Sequence, residues 1–171
     1  LIDAVRNSGS VNVLEGALLQ TPSFELDQGE IHFELGGILD LLDMIDLVVG
    51  DGSSITGNGA IQSDGTVFVE SGGIIAPGNS AGALDIKGNL TLFDGSILNI
   101  ELSGSNQDEF DFIYVAGDLT VGGLTPTLGV AAGSAPIGSA TEPGVVLNVS
   151  NLDNYDPDPE FSHNVIEVGG S

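Results

Sequence analysis

Short runs in which apolar and polar residues alternate follow one another along the chain. Val11-Asn12-Val13, Phe24-Glu25-Leu26 and Ile31-His32-Phe33-Glu34-Leu35 open the series. Thr66-Val67-Phe68-Val69, Leu84-Asp85-Ile86, Leu90-Thr91-Leu92 and Leu98-Asn99-Ile100-Glu101-Leu102 continue it. Phe112-Ile113-Tyr114-Val115, Leu119-Thr120-Val121, Val145-Val146-Leu147-Asn148-Val149 and Val165-Ile166-Glu167-Val168 complete it. Most runs are bounded by Gly, Asn, Asp or Ser, which supply turns and left-handed backbone positions. A two-residue period in pieces this short predicts strands, ten or more of them, and an all-β protein.

The runs also resemble one another. Gly88-Asn89-Leu90-Thr91-Leu92 recurs as Gly117-Asp118-Leu119-Thr120-Val121, 29 residues later. Gly9-Ser10-Val11-Asn12-Val13 is echoed by Gly95-Ser96-Ile97-Leu98-Asn99-Ile100 with one residue inserted. The period drifts over roughly 20–30 residues per unit. A β-sandwich uses short alternating strands as well, but it has no need of near-copies at such spacing. A solenoid does, because each coil must set like residues on like positions of the next. The expectation is a right-handed parallel β-solenoid (β-helix), one domain over 1–171, with about seven coils of roughly 20–25 residues. Residues 50–130 form its repeat core and 131–171 its divergent C-terminal coils and strand. Leu90, Leu92, Leu119 and Val121 should point inward, with Thr91 and Thr120 outward.

One segment breaks the pattern. From Ile38 to Val49 the chain is mostly apolar, with Asp40, Asp43 and Asp46 three apart. At 100° per residue these aspartates share a helix face. The segment reads as a short apolar helix or tight coil near 38–49, either capping the solenoid or docking another chain through Leu39, Leu42 and Ile45.

Charge narrows the partners. The chain has 25 acidic residues and two basic ones, Arg6 and Lys87, for a formal charge of −23. Such a field repels nucleic acid and anionic membranes. A hydrophobic share of 41% excludes a disordered acidic tail. Cysteine is absent, which excludes disulfides, thiolate metal sites and a thiol nucleophile. No stretch of 18 apolar residues is available to span a membrane as a helix. A start at Leu1 rather than Met fits either a processed subunit or a segment of a longer chain.

The central block carries a resemblance. Ile55-Thr56-Gly57-Asn58-Gly59-Ala60-Ile61 precedes Gly72-Gly73-Ile74-Ile75-Ala76-Pro77-Gly78-Asn79-Ser80-Ala81-Gly82-Ala83-Leu84-Asp85-Ile86, and Gly88-Asn89-Leu90-Thr91-Leu92 follows. Over roughly 50–130 this resembles the Pro-Gly-Asn-Ser-x-Gly-x-Leu-x-Ile-x-Gly-Asn-Leu-Thr-Leu repeat of autotransporter passenger domains and related secreted bacterial β-helices. The resemblance implies a right-handed β-helix outside the cell with a structural or adhesive role. On the residues alone, Pro77 fixes φ, Gly78 turns the chain and the Asn79 amide can bond backbone or form a ladder along the axis. The run lacks the Lys and following helix of a phosphate loop.

Chemistry is sparse. His32 and His163 stand far apart, and His32 sits in an alternating run as a surface residue. A β-helical polysaccharide lyase needs cations near its acidic substrate, and Arg6 and Lys87 are the whole supply. Two acidic clusters, Asp108, Glu109 and Asp111, and Asp153, Asp156, Asp158 and Glu160, have the hard oxygens that suit Ca²⁺. The Asn-x-Ser/Thr triplets at Asn89 and Asn148 fall on predicted strands and read as chance matches. The expected function is that of a non-enzymatic, secreted structural protein without an organic cofactor, the subunit of a self-assembling cell-surface fibre. Its partners are copies of itself, joined head to tail through the open edge at Val165, Ile166 and Val168 or through the 38–49 segment. A stalk segment of a longer adhesin is the alternative, with a surface polysaccharide or host receptor as partner. A polysaccharide-processing β-helix enzyme is the third.

Overall fold

A computed structural model describes residues 5–78, 81–106, 108–122, 144–151 and 164–169. Within them the protein is all-β and contains no helix. The strands are stacked in parallel as a β-solenoid with three faces.

The first face stacks six strands: β1 (Val5–Asn7), β4 (Phe24–Leu26), β6 (Leu47–Val49), β8 (Thr66–Val69), β11 (Asn89–Leu92) and β14 (Leu119–Val121). The second face begins with β2 (Ser10–Val13) and continues through the leading half of β5 (Glu30–Leu41) and of β7 (Ser54–Gln62). It ends with β9 (Ile74–Pro77), β12 (Ile97–Leu102) and β15 (Val146–Asn151). The third face has β3 (Leu18–Thr21), the trailing halves of β5 and β7, β10 (Ala83–Ile86), β13 (Phe112–Val115) and β16 (Ile166–Val168). Because β5 and β7 run through the corner, the second and third faces form one ten-stranded sheet. Among the described residues each face thus carries six rungs; about seven coils were expected of the whole chain. At about 4.8 Å per rung the first and last lie about 24 Å apart.

Alternation explains the core. Phe24, Leu47, Val67 and Leu90 form one buried column on the first face, and Ile31, Ile55, Ile75 and Leu98 another on the second. Leu39, Ile61, Ile86 and Val115 form a third. Burying one such side chain contributes roughly 1.5–3 kcal/mol. The 29-residue repeat is a stacking register: Leu90 pairs with Leu119, Thr91 with Thr120 and Leu92 with Val121. Leu90 and Leu92 are buried, Leu119 and Val121 partly so, and Thr120 is exposed, as expected.

Glycine makes the corners. Gly16, Gly36, Gly57 and Gly78, all at positive φ, recur once per coil between the second and third faces. Gln28, Gly52, Gly72 and Gly95, also at positive φ, do the same between the first and second. At the remaining corner the requirement is space: a Cβ on Gly88 would lie 2.2 Å from the Gly65 carbonyl oxygen of the coil before it.

The expected helix at 38–49 is absent. Leu39 and Leu41 are buried on β5 with Ile38 and Asp40 on its outer side, and Leu47 and Val49 are buried on β6 with Val48 outward. The chain turns between them, with Asp43 at φ 65°. Neighbouring strands offer partners on both edges, β3 and β7 to β5, β4 and β8 to β6. A helix would forfeit those pairings and leave a coil missing from the stack. An apolar run this short fits either period, and the sheet decides it.

Candidate functional site

The three aspartates of that segment serve separate places. Asp40 Oδ2 accepts from Gln20 Nε2 at 2.8 Å, Asp43 is exposed in the turn, and Asp46 Oδ1 accepts from the Thr66 N–H at 2.8 Å. Leu39 is 0% exposed and part of the core, so it cannot meet another chain as expected. Leu42 and Ile45 are partly buried, and Ile45 packs against the core. The exposed apolar groups here are Met44, at 75%, and Val48, at 42%.

The acidic residues 108–111 do not converge. Asp108 is exposed. Glu109 Oε2 accepts from the N–H and side-chain amide of Asn106, at 2.9 and 2.8 Å, which closes the loop on itself. Asp111 is 1% exposed and faces inward. Its Oδ1 accepts from the Gly82 N–H at 3.0 Å and its Oδ2 from the Glu101 N–H at 2.8 Å, while its own N–H donates to the Glu101 carbonyl at 2.9 Å. The carboxyl therefore clasps the neck of the 102–110 excursion and ties it to the preceding corner. Burial pushes it up to about 7; the two backbone N–H bonds oppose the rise and the charge of Glu101 adds to it. Among the described residues no group of three or more His, Cys, Asp or Glu is placed to hold a metal ion. Asp153, Asp156, Asp158 and Glu160 lie outside the described residues, as do Asn79 and His163.

Open clefts border the described residues on the first and second faces. One of about 440 Å³ lies by Arg6, Glu25, Asp46 and Val48 on the first face. The other, of about 450 Å³, is bordered by Pro77, Gly78, Asn99, Glu101, Asp111 and Asn148. Neither contains a nucleophile set against a base. A hydroxyl between an imidazole and a carboxylate occurs elsewhere, on the outer side of the second face. Thr56 Oγ1 donates to Glu30 Oε1 at 2.9 Å and lies 2.8 Å from His32 Nδ1. The carboxylate accepts from the hydroxyl, and the three side chains form a polar ladder across two coils. Arg6 pairs with Glu25 at 2.6 Å, and Lys87 pairs with Asp85 at 3.3 Å and stands over the Tyr114 ring. The two cations are thus engaged separately.

Asn amides that bond backbone or form ladders were expected at Asn79, and the described residues place them at other asparagines. Asn58 Oδ1 accepts from the Ala83 N–H and Asn89 Oδ1 from the Asp118 N–H, at 2.8 and 2.9 Å. Asn148 Nδ2 donates to Asn99 Oδ1 at 2.9 Å, a two-rung amide ladder. The signal available was Asn recurring between two apolar neighbours, in Val11-Asn12-Val13, Leu98-Asn99-Ile100 and Leu147-Asn148-Val149.

The ends of the stack differ from its middle. On the first coil Val5, Val11 and Leu19 are partly exposed, whereas Phe24, Ile31 and Leu39 one coil in are buried. On the last coil Leu119 and Leu147 are partly exposed and Val168 is 43% exposed, against buried Leu90, Leu98 and Val115. Of the residues expected to join copies, Val165 and Ile166 pack partly against the core, and Ile166 to Val168 pair with Ile113 to Val115 of the same chain. That occupies one edge of β16. Among the described residues no strand pairs the outer edge of β1, β2, β3, β14, β15 or β16. No known family, curated protein or solved structure matches the chain.

Proposed function

We propose that this chain is a non-catalytic, extracellular structural module, the subunit of a self-assembling cell-surface fibre or matrix whose copies add end to end. The observation that carries the proposal is the rise in exposure at both ends of three core columns, those that run from Val5 to Leu119, from Val11 to Leu147 and from Leu19 to Val168. Apolar columns that stop in mid-pattern, with no strand pairing their outer edges among the described residues, are templates for more of the same. Contact between unlike ends does not close on itself and propagates. The absence of convergent cations and of an activated nucleophile among the described residues favours structure over catalysis. The resemblance of residues 50–130 to autotransporter passenger repeats supports secretion and the right-handed winding general for parallel crossovers.

A stalk segment of a longer adhesin is the second reading, and the same open edges favour it, since further coils of one chain would also continue the columns. Light scattering and negative-stain microscopy of the purified chain separate the two. Rods many times longer than about 24 Å support the fibre. A monomer at every concentration and salt tested supports the stalk.

A further inference from the structure

Resting on the end-to-end reading, we infer the register of the contact: the last coil of one copy docks on the first coil of a second copy, face on matching face, with Asn148 set against Asn12. The registers define this placement. Along the first face Val5, Phe24, Leu47, Val67, Leu90 and Leu119 share one column. On the second face Val11 and Leu147 end one column, and on the third Leu19 and Val168 end another. A single stacking step therefore sets Leu119 on Val5, Leu147 on Val11 and Val168 on Leu19. Each pair is apolar on apolar, and each member is the partly exposed end of its column.

The outer side of the second face adds specificity. Its column begins at Asn12, passes His32 and Thr56, and ends at Asn99 and Asn148. Asn99 and Asn148 are already joined amide to amide. Amide ladders need identical residues in register, and in this placement the next rung is the Asn12 of the second copy. Charge agrees with it. Arg6, one of the chain's two cations, stands on the first coil, and its column ends at Thr120. Asp118, exposed just before that strand, lies two positions earlier in the chain, within reach of a diagonal pair. The contact thus brings a carboxylate to the cation at the junction of two strongly acidic copies.

The chain has no cysteine, so paired substitutions give a clean cross-linking test. Within one copy Asn12 and Asn148 lie five rungs, about 24 Å, apart. A disulfide bridges Cα atoms no more than about 7 Å apart, so any N12C/N148C bond joins two copies. Under mild oxidation the N12C/N148C variant should give a ladder of linked species. The N12C/E167C variant, whose cysteines lie on different faces, should give at least tenfold less. Light scattering on the unsubstituted protein is measured alongside. Assembly with no ladder, or with equal ladders from both variants, overturns the register and leaves end-to-end assembly standing. Monomers throughout with no ladder overturn the end-to-end reading, and the register with it.

Discussion

A buried carboxyl that accepts two backbone N–H bonds is pulled in opposite directions, and at Asp111 burial prevails, lifting it to about 7 from an ordinary value of 3.8. Protonation is then easier in the folded chain than in the unfolded one. The stabilisation this gives is fully present below pH 3.8 and is lost as pH rises through 7. The neighbouring cleft lets water reach the rim, so the amount is on the order of 1–2 kcal/mol rather than the full ~1.4 kcal/mol per pH unit. Thermal melts of the parent and the Asp111→Asn variant at pH 4, 5.5 and 7.5 should show the parent's advantage shrinking with pH. A constant gap would mean that the group does not titrate in this window. Corner residues make a second test. Gln28 adopts φ 56° where its column otherwise carries glycine at Gly52, Gly72 and Gly95. A left-handed conformation costs an ordinary side chain roughly 1–2 kcal/mol, and glycine's extra unfolded-state entropy cancels roughly 0.5–1 of that. Gln28→Gly should be neutral or slightly stabilising in urea melts, while Gly72→Ala, whose Cβ would meet the Asp51 side chain at 2.2 Å, should lower stability by at least about 1 kcal/mol. The sequence showed these glycines as punctuation, but the one non-glycine member of the column, Gln28, could not be seen until the coils were stacked. Asp111 was legible as acidic and near a strand, and its role was not, because a metal ligand and a backbone clasp use the same oxygens.

Strands announced by strict alternation stand where the pattern put them, and the 29-residue echo of Leu90-Thr91-Leu92 in Leu119-Thr120-Val121 is a literal pairing. The misread element, 38–49, has apolar residues at both helical and strand spacing, so only neighbours could decide it. Sequence periodicity weighs one chain segment against solvent; a solenoid coil is judged against the coils on either side. Consequently, element stability here follows what lies above and below. Ile61, buried between Leu39 and Ile86 in its column, should cost about 2–5 kcal/mol when cut to Ala. Gly88→Ala should rival it, because the clash is with the Gly65 carbonyl, which is backbone and cannot rotate away. Leu35→Ala, at an exposed corner, should change stability by less than about 0.5 kcal/mol. Denaturant midpoints of the three variants test the order; a Leu35 effect as large as that of Ile61 would put the corner, not the column, in charge.

At the scale of the molecule, each coil touches only its neighbours, so stability sums over nearest-neighbour contacts and the end coils are held from one side. Amide exchange should accordingly be slowest around Ile55, Ile61, Val67 and Ile75 and fastest around Val5, Val11 and Val168 in the monomer. The same ends are where copies would meet, so assembly should slow exchange there by at least tenfold and leave the centre unchanged. Charge sets the conditions for that assembly. Each copy carries −23, with two cations that are both engaged internally. At 0.01 M salt the screening length is about 30 Å, longer than the stack itself, so whole copies repel; at 0.15 M it is about 8 Å, and repulsion is confined to the rungs at the junction. In the proposed contact, apolar columns of matched type would then outweigh it. Sedimentation across 0.01–0.5 M sodium chloride should show association strengthening with salt in the absence of any divalent ion. Association that needs calcium at constant ionic strength would instead mean that the acidic loops, and not general screening, bring the copies together.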